Sequence, residues 1–201
     1  MTLLPHNLAS FYCRLHRKIV TSGSLFDPSW DCENVNEGDR ILWAGRLLGA
    51  QPTTIGSPPL FSTLIERLIL LTPAEIQRLL CAAVVLSRRD EFRHCIDGNK
   101  LRVLRDTIGS RGLDAILQSR TVVESPGIDS ETDWDITSLC SEGYSHICSF
   151  YEGQRAVVMD ILKIALPKAI SVKRSNCSEK TFESLVREAH KWYPEFRWLF
   201  G

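Results

Sequence analysis

Four groups of residues in this chain have types and spacings that could do chemistry. The first holds sulfur and imidazole. Cys140, His146 and Cys148 lie within nine residues, and His94 precedes Cys95. Zinc takes four ligands, most often from two close pairs. The spacing C-x5-H-x-C matches neither a finger nor a ribbon, and on a helix residues 146 and 148 would point about 200° apart. These side chains read as core or surface residues, and no metal or other cofactor is expected. The second group is the acidic stretch "DSETDWDITSLC". Asp129, Glu131 and Asp133 fall at the first, third and fifth positions of a calcium loop, but Trp134 stands where the loop requires glycine and Cys140 where it requires a bidentate glutamate. It reads as a solvated acidic loop with Trp134 tucked under it.

The third group would be a nucleophile with its base. Cys95 is only a sequence neighbour of His94, whereas catalytic Cys and His meet through the fold. G-x-S-x-G and H-E-x-x-H are absent, and "GSRGLD" has two glycines without the Lys-Ser/Thr of a phosphate loop. The expectation is a protein that is not an enzyme and has no small-molecule substrate.

The fourth group is charge. Arg88, Arg89, Arg93, Lys100, Arg102, Arg105 and Arg111 fall within 24 residues, interleaved with Asp90, Glu91, Asp97 and Asp106, a local excess of three. A DNA reader shows a purer basic face and a recognition helix after a short turn, so nucleic acid is not the expected partner. From Thr121 to Gln154 there is no Lys or Arg but seven acids: Glu124, Asp129, Glu131, Asp133, Asp135, Glu142 and Glu152. A basic C-terminal third follows. The totals balance at 24 Lys plus Arg against 24 Asp plus Glu. There is no global field to gather a polyanion, and low net charge favours association with proteins. Such polarity suits docking between two partners, with solvated, internally paired faces as the alternative. The candidate protein-binding residues are Asp129, Glu131, Asp133, Trp134 and Asp135 on one surface, and Arg88, Arg89, Arg93, Arg102 and Arg105 on the other.

The elements that must position these groups are helices. Apolar residues recur mainly at helical spacing, and the β-branched clusters "TVV" and "AISV" are short. The spacing predicts helices over about 8–20, 37–48, 60–71, 73–87, 90–96, 100–108, 111–119, 134–151, 154–166 and 178–192. Thr72, Pro73 and Glu75 form an N-terminal cap, and Gly98 and Gly109 read as C-terminal breaks. "GSLFDPSWDCENVNEGD" and "GAQPTTIGSPP" are turns and loops. The fold class is all-α, a compact irregular bundle of about eight to ten helices with no significant sheet. It reads as a single helical domain over 1–201, with a looser N-terminal subregion 1–58 and a helical core 59–201.

Within that core, "LLCAAVVLS" is nine uncharged residues. At ~1.5 Å per residue it spans roughly 14 Å, against ~30 Å of hydrocarbon, so it is a core helix and not a membrane span. The start lacks the basic and apolar regions of a secretory signal. Seven cysteines, Cys13, Cys32, Cys81, Cys95, Cys140, Cys148 and Cys177, include no C-x-x-C pair and read as reduced thiols of a cytosolic protein. The ending "HKWYPEFRWLF" crowds Trp192, Tyr193, Phe196, Trp198, Leu199 and Phe200 together. Core sealing is the favoured reading, with an interface patch as the alternative.

The stretch "LLCAAVVLSRRDEFRHCIDGNKLRVLRDTIGSRGLDAIL", residues 79–117, resembles the K-subunit family of bacterial type III secretion systems (SctK, the YscK/PscK-like proteins). The likeness runs through an apolar Leu-Leu-Cys helix, a charged turn and Arg93-His94-Cys95-Ile96. It continues through Leu101, Leu104, Ile108, Leu113, Ile116 and Leu117, and the basic ending "EAHKWYPEFRWLF" matches as well. The resemblance implies a non-enzymatic adaptor of the sorting platform beneath the injectisome. Its partners would be the Q subunit of the pod and the cytosolic domain of the inner-membrane ring's D subunit. Its place would be the bacterial cytoplasm at the inner membrane, peripheral to the bilayer only through those partners. The family offers no catalytic residues to transfer. A helical DNA-binding regulator is the rival reading, and a small enzyme without a recognisable motif the third.

Overall fold

A computed structural model describes residues 10, 11, 13–15, 17, 27–30, 61–120, 134–151 and 156–200. Among them all regular secondary structure is helical and no strand occurs. The chain divides into two compact units. The first is Met1–Ile76 with Gly153–Lys168, and the second is Gln77–Glu152 with Ala169–Gly201.

In the first unit, positions described between 10 and 17 are helical, as expected, and α1 spans Leu64–Leu68. The expected helix over 60–71 is thus shorter, and residue 60 lies outside the described residues. Thr63 caps it by accepting from the Glu66 N–H, and Phe61 before it adopts φ 51°, a left-handed backbone that cannot continue a helix. Beyond Leu68 the bonds tighten to Leu70 N–H on Arg67 and Leu71 N–H on Leu68. Such three-residue spacing is a common way for a helix to end. α2, Pro73–Ser87, begins in this unit at the expected cap. Thr72 Oγ accepts from the Glu75 N–H at 3.3 Å, and Glu75 Oε2 accepts from the Thr72 N–H at 2.7 Å. The Phe11 ring packs on Phe61 at 5.5 Å, and Leu64, Ile65 and Leu68 are buried with Val158, Ile161 and Leu162 of α7, Ala156–Ile164. The Asp27–Trp30 turn satisfies carbonyls that the end of α7 leaves open. Asp27 N–H donates to Ile164 O at 2.9 Å and Trp30 Nε1 to Leu166 O at 2.7 Å.

The second unit is built around the rest of α2, which is buried continuously from Leu79 to Ser87. A helix apolar on every side needs neighbours on every side. α3 is Arg89–Arg93, α4 Gly98–Ile108, α5 Ser110–Gln118, α6 Ile136–Tyr151 and α8 Glu179–His190. α3 stops before the expected 96: His94 is its C-cap, and Ile96 stands 99% exposed on the connection to α4. Gly98 does not break a helix but starts one. Asp97 Oδ1 accepts from the Asn99 and Lys100 N–H groups, and that side-chain cap fixes the start at 98. Gly109 does mark a break, at φ 87° between α4 and α5. Ser178 caps α8 as expected, but the helix ends at His190, and Pro194–Phe200 forms a 3-10 helix.

That ending seals the unit. Tyr193, Phe196 and Leu199 are buried, and Tyr193 Oη donates to Ile108 O at the end of α4 at 2.7 Å. Gly112 makes room for the phenol: a Cβ there would lie 2.4 Å from Tyr193 Oη. Gly143 does the same between α6 and α2, where a Cβ would lie 3.0 Å from Leu80 Cβ. The expected helix over 37–48 lies outside the described residues.

Candidate docking surfaces

The basic cluster is divided by its local geometry. Arg88 closes α2 and precedes α3, and its guanidinium turns inward. It donates to Glu91 at 2.6 Å and to Glu142 on α6 at 2.9 Å, and it lies 5.7 Å over the Phe92 ring. Glu142 is only 1% exposed. A carboxylate there needs a balancing charge. Burial alone would lower the Arg88 pKa, but Glu91 and Glu142 outweigh it and hold the guanidinium above its ordinary range. Arg89 Nη1 donates to Ser119 O at 2.7 Å, and Arg93 reaches Leu117 O and, at 2.8 Å, Ser119 O. Both arginines therefore serve carbonyls at the C-terminus of α5, where the helix dipole also favours cations.

Arg102 and Arg105 are placed differently. Leu104 and Ile108 face the core from α4, whereas Arg102 falls on the opposite side and Arg105 on the flank, both exposed, beside Asp106. Of the five candidate arginines, three are engaged by the unit's own chain and two face outward.

Asp129, Glu131 and Asp133 lie outside the described residues. Trp134 packs on Phe92 with ring centroids 4.4 Å apart, and Lys100 Nζ sits 5.2 Å over its ring. Trp134 thus lies against Phe92 of α3 and Lys100 of α4. Asp135 is the N-cap of α6, accepting from the Thr137 N–H at 2.8 Å and from Ser138 Oγ at 2.6 Å. Partial burial works against its charge, but bonds from Ser138 and Thr137 outweigh it and keep the carboxyl below its usual range. Glu142, counted by sequence with the acidic band, is a core residue.

Sulfur and imidazole do not converge. Cys140 Sγ lies 3.7 Å from Cys81 Sγ between α6 and α2, whereas His146 Nδ1 meets Ser175 Oγ at 2.8 Å. His94 is exposed, and Cys95 Sγ points to the Asp97 carbonyl. Among the described residues, no group of three or more His, Cys, Asp or Glu could hold a metal ion. His146 is fully buried. Its Nε2 has no hydrogen-bond partner and is 4.0 Å from Glu142 Oε1, a distance too long for a bond. Burial pushes its pKa down to about 4, so it is neutral at pH 7. Glu142 does not reverse this, because Arg88 already balances that carboxylate.

Sequence reasoning missed Ser141 and Ser145, both buried on α6. Their spacing of four was the available signal, since it puts two hydroxyls on one helix face.

Two kinds of comparison gave opposite outcomes. The family model described as bacterial type III secretion protein (HrpB4) matches residues 9–195. Searches of the curated proteins and of the solved structures found no match.

Proposed function

The chain belongs to the bacterial type III secretion protein (HrpB4) family, the K-subunit family that its sequence resembles, and on that premise we propose that it is a non-enzymatic adaptor of the injectisome sorting platform. It joins the cytosolic domain of the inner-membrane ring's D subunit to the Q subunit of the pod. It works in the bacterial cytoplasm at the inner membrane and needs no cofactor. No helix among the described residues is long and apolar enough to cross a membrane.

The observation that carries this reading is the division of the arginines. Three are engaged by the protein's own fold, whereas Arg102 and Arg105 stand together on the exposed side of α4. One partner docks on that face, with the Lys100–Trp134 corner at its edge. The other docks on the acidic residues Asp129, Glu131 and Asp133. Opposite charges on two surfaces orient two partners and speed their encounter. Asp135, Arg88, Arg89 and Arg93 support the surfaces from behind.

Pull-down of purified D and Q subunits tests this. Arg102→Glu with Arg105→Glu should lose one partner. Asp129→Lys with Glu131→Lys and Asp133→Lys should lose the other. Each variant should keep its second partner and an unchanged unfolding midpoint. Two variants that both hold both partners as the parent does would end the surface assignment.

A further inference from the structure

Cys81 on α2 and Cys140 on α6 both lie in the second unit. Their sulfurs are 3.7 Å apart, and both residues are 0% exposed. The two helices come close together here. A Cβ on Gly143, one turn after Cys140, would lie 3.5 Å from the Cα of Leu80, the neighbour of Cys81. A carbon–carbon bond is about 1.5 Å, so the Gly143 and Leu80 Cα atoms are at most about 5 Å apart. A disulfide joins Cα atoms about 4.4–6.8 Å apart, with its sulfurs about 2.05 Å apart. The backbones beside the pair thus already stand at disulfide range. The sulfurs must close by about 1.7 Å, a movement of two short side chains.

Burial selects the oxidant. Hydrogen peroxide is little larger than water, whereas glutathione disulfide is far too large to reach a pair with no exposed surface. Burial also selects the product. A sulfenic acid formed on either sulfur has a thiol in contact with it, so condensation to a disulfide competes with further oxidation.

We propose that Cys81 and Cys140 form a reversible disulfide in response to hydrogen peroxide, fastening α2 to α6. One sulfur attacks a peroxide oxygen, the O–O bond breaks, and a sulfenic acid and one water result. The second sulfur attacks the first, the S–OH bond breaks, and the hydroxyl leaves with the second thiol's proton as another water. Each sulfur gives up one electron, and the two peroxide oxygens take them up. A dithiol reverses the step by exchange. In a cytosolic protein such a bond is transient and redox-sensing. It holds together the two helices that the Arg88–Glu142 ion pair also joins, since α2 ends beside Arg88 and α6 carries Glu142. The inference does not depend on the adaptor reading.

Peroxide treatment of the full chain tests it, followed by unfolding in an alkylating reagent, digestion without reductant and mass spectrometry. A linked peptide pair containing Cys81 and Cys140, separated by dithiothreitol, is expected. Its rate of formation should not change in urea below the unfolding transition, and glutathione disulfide should not produce it. The bond closes a loop of 59 residues and should raise the melting temperature of the oxidised over the reduced chain by about 5–15 °C. Cys140→Ala should abolish both the linked peptide and the rise; if that variant does not fold, the mapping and melting of the parent chain decide the matter. The proposal is overturned if peroxide leaves both as thiols, oxidises them singly or links them to other cysteines. A rate that follows the unfolded fraction, equal cross-linking by glutathione disulfide, or a melting temperature that does not rise would each overturn it as well.

Discussion

Replacing Arg88 by Met keeps much of the stem that packs near Phe92 and deletes the guanidinium that donates to Glu142 at 2.9 Å. Glu142 is 1% exposed, so water cannot take over that role. The variant therefore removes a guanidinium that balances a core carboxylate. Breaking a buried pair from one side costs about 3–5 kcal/mol. In a chain of this length that lowers the melting temperature by roughly 6–20 °C. Glu142→Gln should be milder, at about 1–2 kcal/mol, because Arg88 keeps Glu91 and some water. Arg88→Met with Glu142→Leu should recover most of the loss, since two apolar side chains of similar volume leave no charge uncompensated. Urea unfolding of the full chain followed by circular dichroism measures all three. The ranking should hold at high salt, because a buried pair is screened little. An Arg88→Met cost below about 1 kcal/mol, or a double variant no better than Arg88→Met, would refute the reasoning.

Gly112→Ala should cost about 2–3 kcal/mol, because its Cβ would lie 2.4 Å from Tyr193 Oη and force the phenol away from Ile108 O. Tyr193→Phe loses that bond without the clash and should cost about half as much by the same urea assay. Stability should fall as pH drops from about 6.5 towards 4. His146 is neutral and buried in the folded state, with a pKa of about 4, while the unfolded chain takes up the proton near 6.5. The contribution is fully present above 6.5, is lost on the way down and amounts to at most roughly 3 kcal/mol; His146→Gln should flatten that part of the stability–pH curve. Thr72→Ala removes the acceptor for the Glu75 N–H and should cost about 0.5–2 kcal/mol, read as a lower urea midpoint with an unchanged slope.

By itself, the sequence determined the helical class, the burial of "LLCAAVVLS", the Thr72–Glu75 cap, the break at Gly109 and the Ser178 cap. These depend on local propensity, side-chain capping and the 3.6-residue period, all of which act over a few residues. Helix ends that competing caps decide were less legible, as Gly98 shows: the same glycine serves as an end or a beginning, depending on whether Asp97 reaches the next amides. Only the tertiary structure decided which charges are available to a partner. Arg88 and Arg102 look alike in a basic run. One is drawn to a carboxylate 54 residues away on α6, and the other falls on the side of α4 opposite Leu104. Glu142 looks like a member of an acidic band until α6 turns it into the core. The segment after residue 170 is the same case. "AISV" has the composition of a strand, but it forms none, and the Ser171 and Lys173 N–H groups donate to hydroxyls one helical turn apart on α6. Long-range pairing of this kind depends on which elements meet, and no local window of the chain contains that information.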